Sequence, residues 1–200
     1  MTMNVLVAGA TGKTGHLVVS ELIDMGHTPT ALVRESSDTG SLPEGVSLRK
    51  GDLTDLQSGV CAGMDVVVFA AGSGGSTGAE MTDKVDRDGA QKLVDLAKQA
   101  GVSRFVMLSS IGADQSDPEG DLAHYLKAKH AADEHLKASG LTWAILRPVA
   151  LTDDGRSDSV VLGAEVDRSA KASRADVAHL LAEAATTDRF DGTAVDMQSA

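Results

Sequence analysis

Short unbroken apolar runs alternate along this chain with stretches in which apolar positions recur every three or four residues, strand periodicity giving way repeatedly to helix periodicity. Val5-Leu6-Val7-Ala8 is the first run and reads as a buried strand; the stripe Leu17, Val18, Leu22, Ile23, Met25 follows at helical spacing and stops at Gly26. Residues 28–33 and 46–50 read as the next two strands, separated by a polar loop that opens at Arg34. The pattern then predicts a brief helix over 55–61, a strand buried on both faces over 65–70, a glycine and serine loop over 71–78, and a helix over 82–100 closed by Gly101. Residues 104–108 form the fifth expected strand, running into Ser109-Ser110. A polar loop at 112–121 leads to a long helix over 122–138, closed by Gly140, and a sixth strand over 142–146 that Arg147-Pro148 is expected to cut. Residues 152–171 read as irregular, Ser173 as the cap of a helix over 174–185, and 194–197 as a last strand.

Strands alternating with helices at this spacing pair in parallel through right-handed crossovers. The expected class is α/β, one domain over residues 1–200 built on a doubly wound parallel sheet of strand order 3-2-1-4-5-6, with ligand at the carboxyl ends of the strands. The loop 112–121 and the segment 152–171 leave the sheet on that side and are expected to shape a small C-terminal substrate region. Composition adjusts the picture in three ways. With 42% hydrophobic but only 2% aromatic residues, the core of the 200-residue chain must be Val, Leu, Ala and Met. A net charge of −11 argues against nucleic acid or an anionic membrane as partner. The single cysteine, Cys61, excludes an internal disulfide and reads as a small buried hydrophobe. No apolar window nears the length of a membrane span and no signal segment is evident, so a soluble, cytoplasmic protein is expected.

The candidate chemistry begins where the first strand breaks into Gly9-Ala10-Thr11-Gly12-Lys13-Thr14-Gly15. Strand, glycine turn and helix in this order bring main-chain N–H groups and a helix N-terminus to a pyrophosphate without a Cβ in the way. Gly12-Lys13-Thr14 resembles the end of a nucleoside-triphosphate loop, but that motif needs glycine where Val7 stands, and the reading fails. Arg34, at the end of the second strand, suits the 2′-phosphate of NADP, although Glu35 beside it would suit a free ribose hydroxyl; Ser36 and Ser37 add donors. Asp52 offers an acceptor for an adenine amino group with Leu53 as a wall, and Ala70, Ala71 and Gly72 let a cofactor pass close over the backbone. Tyr125 and Lys129 stand one helical turn apart, a spacing at which an ammonium assists a phenol in proton transfer, and Ser110 is placed to hold the same substrate oxygen. No histidine pair has ligand spacing, so no metal is expected; Ser109 and Ser110 lack a nucleophile elbow; Trp143 reads as core and Arg147 as a buried, ion-paired arginine.

These stretches, with Arg104 to Gly112, Leu141 to Pro148 and Ser173 to Ala178, resemble the atypical short-chain dehydrogenase/reductases of the NAD(P)-binding, NmrA-like and epimerase-dehydratase-like kind, over nearly the whole chain. The resemblance implies a Rossmann domain with NADP(H) at the glycine turn. Gly9, Ala10, Thr11, Gly12, Lys13, Thr14 and Gly15 would meet pyrophosphate, Arg34 the 2′-phosphate, and Asp52 and Leu53 the adenine. Ala70, Ala71, Gly72, Lys129 and Pro148 would line the remaining cofactor path. Ser110, Tyr125 and Lys129 match three places of the family's catalytic tetrad; the fourth, usually asparagine, is Asp86 here, which exchanges an amide for an acceptor-only carboxylate. A second resemblance, through Ala31 to Ser37 and the glycine turn, is to the flavin reductase/biliverdin reductase B family, which transfers hydride without the tyrosine pair. The expected activity is an NADP(H)-dependent oxidoreductase or epimerase-like enzyme acting on a small carbonyl or hydroxyl compound, as a monomer or small homo-oligomer, with NAD(H) as the other cofactor. The alternatives are a flavin or quinone reductase and a non-catalytic NADP-sensing regulator.

Overall fold

β1 (Asn4–Ala8) lies at the centre of the sheet because both of its faces are apolar: Val5 and Val7 enter one core, Leu6 and Ala8 the other. The computed structural model describes residues 1–74, 78–157 and 159–200; the remainder of the expected glycine and serine loop (75–77) and one position of the 152–171 segment (158) lie outside them. Parallel partners flank β1 on both sides, β2 (Thr28–Val33) and β4 (Val66–Phe69), with Val5 opposite Pro29 on one and Val66 on the other. β3 (Ser47–Lys50) closes one edge, while β5 (Arg104–Leu108) and β6 (Thr142–Pro148) extend the other. The first six strands therefore run 3-2-1-4-5-6, as the alternation predicts. Beyond them, β10 (Thr193–Ser199) adds in parallel to β6, and the short β8 (Val160–Leu162) pairs antiparallel with β10.

One face of the sheet packs on α1 (Gly15–Asp24) and α5 (Arg174–Thr186) through Val18, Val19, Leu22, Val177 and Leu181. The other packs on a long composite helix and on α4 (Ala123–Ala138) through Leu93, Val94, Ala132 and Leu136. The composite helix is α2 (Ala79–Thr82), a π-helical stretch (Asp83–Gly89) and α3 (Ala90–Gln99) in series. Phe69 and Phe105 are the aromatic centre of this second core, and Trp143 packs half-buried at its border.

Four sequence expectations change. Residues 55–61 form no helix: Asp55 bridges back to Asp52, and the turns that begin at Ser58 place Gly59 at φ +86°, outside helical backbone. The helix expected from residue 82 starts at Ala79 and contains the π stretch. β6 runs through Arg147-Pro148, since Pro148 falls at its end, where β10 lies alongside in parallel register and Arg147 pairs inward. The 152–171 segment is not wholly irregular: β7 (Ala150–Thr152) pairs in parallel with β9 (Lys171–Ser173), and β8 and a 3-10 turn (Gly163–Glu165) lie between them. No described helix is long and apolar enough to cross a membrane.

Candidate functional site

The turn after β1 is shaped by close backbone approach. Gly9 has φ +82°, and a Cβ there would lie 2.6 Å from both the N and Cα of Ala71, after β4. A Cβ on Gly15 would sit 2.0 Å from the Gly9 carbonyl oxygen, so the first turn of α1 rests directly on the loop. Gly12 donates to that same carbonyl at 2.9 Å and is otherwise exposed. Thr14 stands at the N-cap of α1 with no side-chain cap bond, and the His16 N–H donates to the Gly12 carbonyl at 3.1 Å.

This turn forms one end of a cleft of about 920 Å³. Its wall takes in Gly9, Thr11, Gly12, Arg34, Asp52, Leu53, Ala70, Ala71 and Gly72, residues from four separate loops at the carboxyl ends of β1 to β4 that the sequence nominates for a cofactor. Arg34 is exposed, its backbone N–H bonded to Ser37 Oγ at 3.0 Å, and Ser37 shares the wall. Glu35 turns to Lys50, with Nζ to Oε2 at 3.2 Å, and is not part of the wall. Asp52 Oδ1 accepts from Thr54 N at 2.9 Å and Thr54 Oγ1 at 2.8 Å. Those two bonds, aided by the Arg34 charge and opposed by partial burial, hold its carboxyl below the usual range. The far wall is one face of the composite helix, with Lys84, Asp88 and Lys92 four residues apart on it. That spacing is readable in the sequence, but it marks any solvated helix face equally well. Within the turn, Lys13 Nζ reaches Asp153 Oδ2 at 2.6 Å, and Asp153 also pairs with Arg174. Ala10, Lys13, Thr14, Gly15 and Pro148 are not part of the cleft wall.

The second constellation lies beside the cleft. Lys129 is 2% exposed, with Nζ 5.7 Å from the ring centroids of both Phe69 and Tyr125, 3.3 Å from the Leu108 carbonyl that accepts from it, and 3.0 Å from Asp86 Oδ1. That contact is an ion pair made off the hydrogen-bond axis, for Asp86 Oδ1 is buried without a hydrogen-bond partner. Asp86 Oδ2 accepts from Ser73 N at 3.0 Å, and Ser73 is part of the cleft wall. Burial is the largest influence on Lys129 and would lower its pKa, yet Tyr125, Asp86 and Asp133 together raise it, so the side chain is an ammonium at neutral pH. Tyr125 is half-buried, and Ser110, also half-buried, has Oγ 3.4 Å from the Ile111 carbonyl. Ser110, Tyr125 and Lys129 are not part of the cleft wall.

Behind Lys129 lies a group the sequence reading passes over. Asp133 Oδ2 accepts from Ser109 Oγ at 3.0 Å, Arg147 Nε at 3.0 Å and Arg147 Nη2 at 2.9 Å, all buried. Arg147 is thus the ion-paired arginine expected. Burial raises the Asp133 carboxyl above the usual range against the pull of Arg147, Ser109 and Lys129. The signal for it was present, since Asp133 follows Lys129 by one helical turn on an otherwise alanine-rich inner face. Elsewhere, Lys127 pairs with Asp117 at 2.7 Å, and His130 and His135 turn to different partners, the Ala113 carbonyl and Asp95. The loop 112–121 and the segment 152–171 approach one another at Asp114 and Arg168, 3.9 Å apart, clear of the cleft.

A glycine turn lining the cleft, a cationic wall beyond β2 and small residues after β4 have the shape and donor set for a dinucleotide. The family model described as NAD(P)H-binding matches residues 9–188. The Bacillus subtilis protein named uncharacterized sugar epimerase YhfK is 34% identical over 201 residues, 98% of this chain and 94% of its own. Among solved structures, a Bacillus halodurans protein named for an NAD-dependent epimerase/dehydratase is 35% identical with a TM-score of 0.92, over 99% of this chain and 94% of that one. The Lactococcus lactis oxidoreductase ylbE is 29% identical with a TM-score of 0.86, over 99% and 91%.

Proposed function

The chain belongs to the NAD(P)H-binding family, and from that premise we propose that it is an NADP(H)-dependent oxidoreductase or epimerase-like enzyme of the atypical short-chain dehydrogenase/reductase type, acting on a small carbonyl or hydroxyl compound. The observation that carries the reading is the cleft wall itself, where the glycine turn leading into α1 (Gly9, Thr11 and Gly12) and the Arg34–Ser37 turn line one space. Gly9 and Gly12 admit the pyrophosphate to the helix N-terminus. Arg34 meets the 2′-phosphate, and the engagement of Glu35 with Lys50 favours NADP over NAD. A nicotinamide ring supplies or accepts hydride when bound. Tyr125 is the general acid or base at the substrate oxygen, Ser110 orients that oxygen, and Lys129 holds its charge beside the phenol. A cytoplasmic setting suits a chain whose one cysteine is buried.

Tyr125→Phe is expected to lower turnover of small aldehydes and ketones by about 10²–10⁴-fold and to leave NADPH affinity, measured by cofactor fluorescence, unchanged. Full activity in that variant removes the tyrosine from the mechanism. Arg34→Ala is expected to weaken NADPH about 10- to 100-fold, as loss of a charge-assisted contact does, and to leave NADH binding alone; equal loss for both cofactors refutes the assignment of Arg34. One observation favours a flavin or quinone reductase as the second reading, namely that Ser110, Tyr125 and Lys129 stand off the cleft wall. In that case Tyr125→Phe is silent toward flavins.

A further inference from the structure

The four buried charges behind the cleft come in two opposed pairs, Asp86 with Lys129 and Asp133 with Arg147. Asp86 is fully buried, and it lies on the π-helical stretch whose neighbouring residues Lys84, Val85, Asp88 and Gly89 line the cleft. The wider turn changes the azimuth of each residue on it, and at Asp86 the side chain faces away from the cleft onto Lys129. A Cβ on Gly72 would lie 3.3 Å from its Oδ1, so the cleft floor passes directly over the carboxylate. From one carboxyl group, Oδ2 fixes the floor through Ser73 N and Oδ1 fixes the ammonium that stands over the Tyr125 ring.

An ammonium beside a phenol, unopposed, favours the phenolate and makes the phenol easier to ionise. Here it is opposed at 3.0 Å. We infer that Asp86 is a positioning residue that locks the Lys129 ammonium between the Phe69 and Tyr125 rings and cancels its field at the phenol. The inference rests on the proposed role of Tyr125. Hydride arriving at the carbonyl carbon breaks the C–O π bond, and that electron pair takes the proton from Tyr125 Oη. The tyrosinate left behind would face Lys129 and regain a proton from solvent, the hydride being what a bound nicotinamide would supply. The overall equilibrium is untouched; what Asp86 sets is how strongly the Lys129 charge acts on the phenol.

Of the other groups facing this pair, Asp133 also acts on Lys129 and helps keep it charged. Asp133 on α4 is bound by Arg147 of β6 and Ser109. Asp83 pairs with Arg87 and His124, each at 3.0 Å, and Lys127 is taken by Asp117. β5 offers Lys129 only the Leu108 carbonyl, and β4 the Phe69 ring.

Tyr125 is the only tyrosine in the chain, so the pH titration of tyrosinate absorbance in the near ultraviolet reports it alone, with no substrate or cofactor present. Asp86→Asn keeps the shape of the side chain and an acceptor for Ser73 N while removing the charge. It is expected to lower the ionisation midpoint of Tyr125 by about 1–2 pH units relative to the unaltered protein, with the alkaline limb of the reduction rate moving down by the same interval. The double variant Asp86→Asn/Lys129→Met buries no charge at this place and serves if the single one does not fold. Cancellation predicts that it titrates with the unaltered protein, whereas an unopposed lysine field predicts a rise of about 1–2 pH units. An unmoved midpoint in Asp86→Asn, or that rise in the double variant, overturns the inference. Should the midpoints move as expected while Tyr125→Phe keeps full turnover, the charge cancellation stands and the catalytic role of Tyr125 falls.

Discussion

A methyl group on Gly9 would meet the Ala71 backbone at 2.6 Å from a residue already at φ +82°, whereas one on Gly12 would meet only the Gly9 carbonyl oxygen, at 3.2 Å. The first position answers to the fold and the second to what approaches from outside. Gly9→Ala is therefore expected to destabilise the protein by about 1–3 kcal/mol through backbone strain, visible in urea unfolding whether or not cofactor is present. Gly12→Ala should unfold close to the unaltered protein and, on the proposed placement of the pyrophosphate, weaken NADPH binding. A Gly12→Ala protein that binds NADPH normally would place the pyrophosphate elsewhere. Cys61 shows the opposite extreme, a residue with no chemistry to offer. Burial pushes its thiol up to about 11 against the charge of Arg49, and a maleimide reagent at neutral pH should label it only at the rate at which the protein opens.

At the level of elements, one carboxylate adds to the strand pairing that holds the C-terminal strands to the body of the fold. Asp176, in the first turn of α5, accepts from Ser157 N at 3.0 Å, from Ser157 Oγ at 2.7 Å and from Ser199 Oγ, so it joins the segment after β7 to the end of β10. Ser173 caps the same helix, its Oγ accepting from Ala175 N at 3.1 Å and donating to the Asp154 carbonyl at 2.6 Å. Burial alone would raise the Asp176 carboxyl, but the Ser199 and Ser157 donors and the Arg156 charge bring it below the usual range. The sign follows by linkage: a depressed folded pKa gives stability that is complete above the unfolded value, 3.8, and is lost as pH falls through the folded one. Asp176→Asn is expected to lower the melting temperature at neutral pH and to flatten its decline below about pH 4. A variant that retains the full acid decline would show that other carboxylates govern it.

For the molecule as a whole, the cleft draws on the loops after β1, β2, β3 and β4, so a ligand in it would bridge four separate segments of the chain. NADPH at a hundred times its dissociation constant should add about 2.7 kcal/mol, or roughly 5–10 °C in melting temperature for a domain of this size. NADH at the same concentration should add less, by the margin that Arg34 provides. Equal shifts for the two cofactors would remove NADP preference from the proposal.

Sequence by itself determined the sheet and the glycine turn. Strand and helix periods depend on neighbours in the chain, and a buried parallel strand such as Val66–Phe69 declares itself by unbroken apolar character. The Gly9 spacing is legible because glycine is required by local geometry. Tyr125 and Lys129 were also legible, one turn apart on a helix, while their environment was not. Whether Lys129 stood in solvent or fully buried depended on Phe69, Leu108 and Asp86, which come from three distant parts of the chain. That Glu35 would turn to Lys50, across the β2–β3 pairing, was likewise out of reach of any local pattern. Only tertiary structure could decide these, because a charge takes its character from what it is buried against, and no local pattern records that partner.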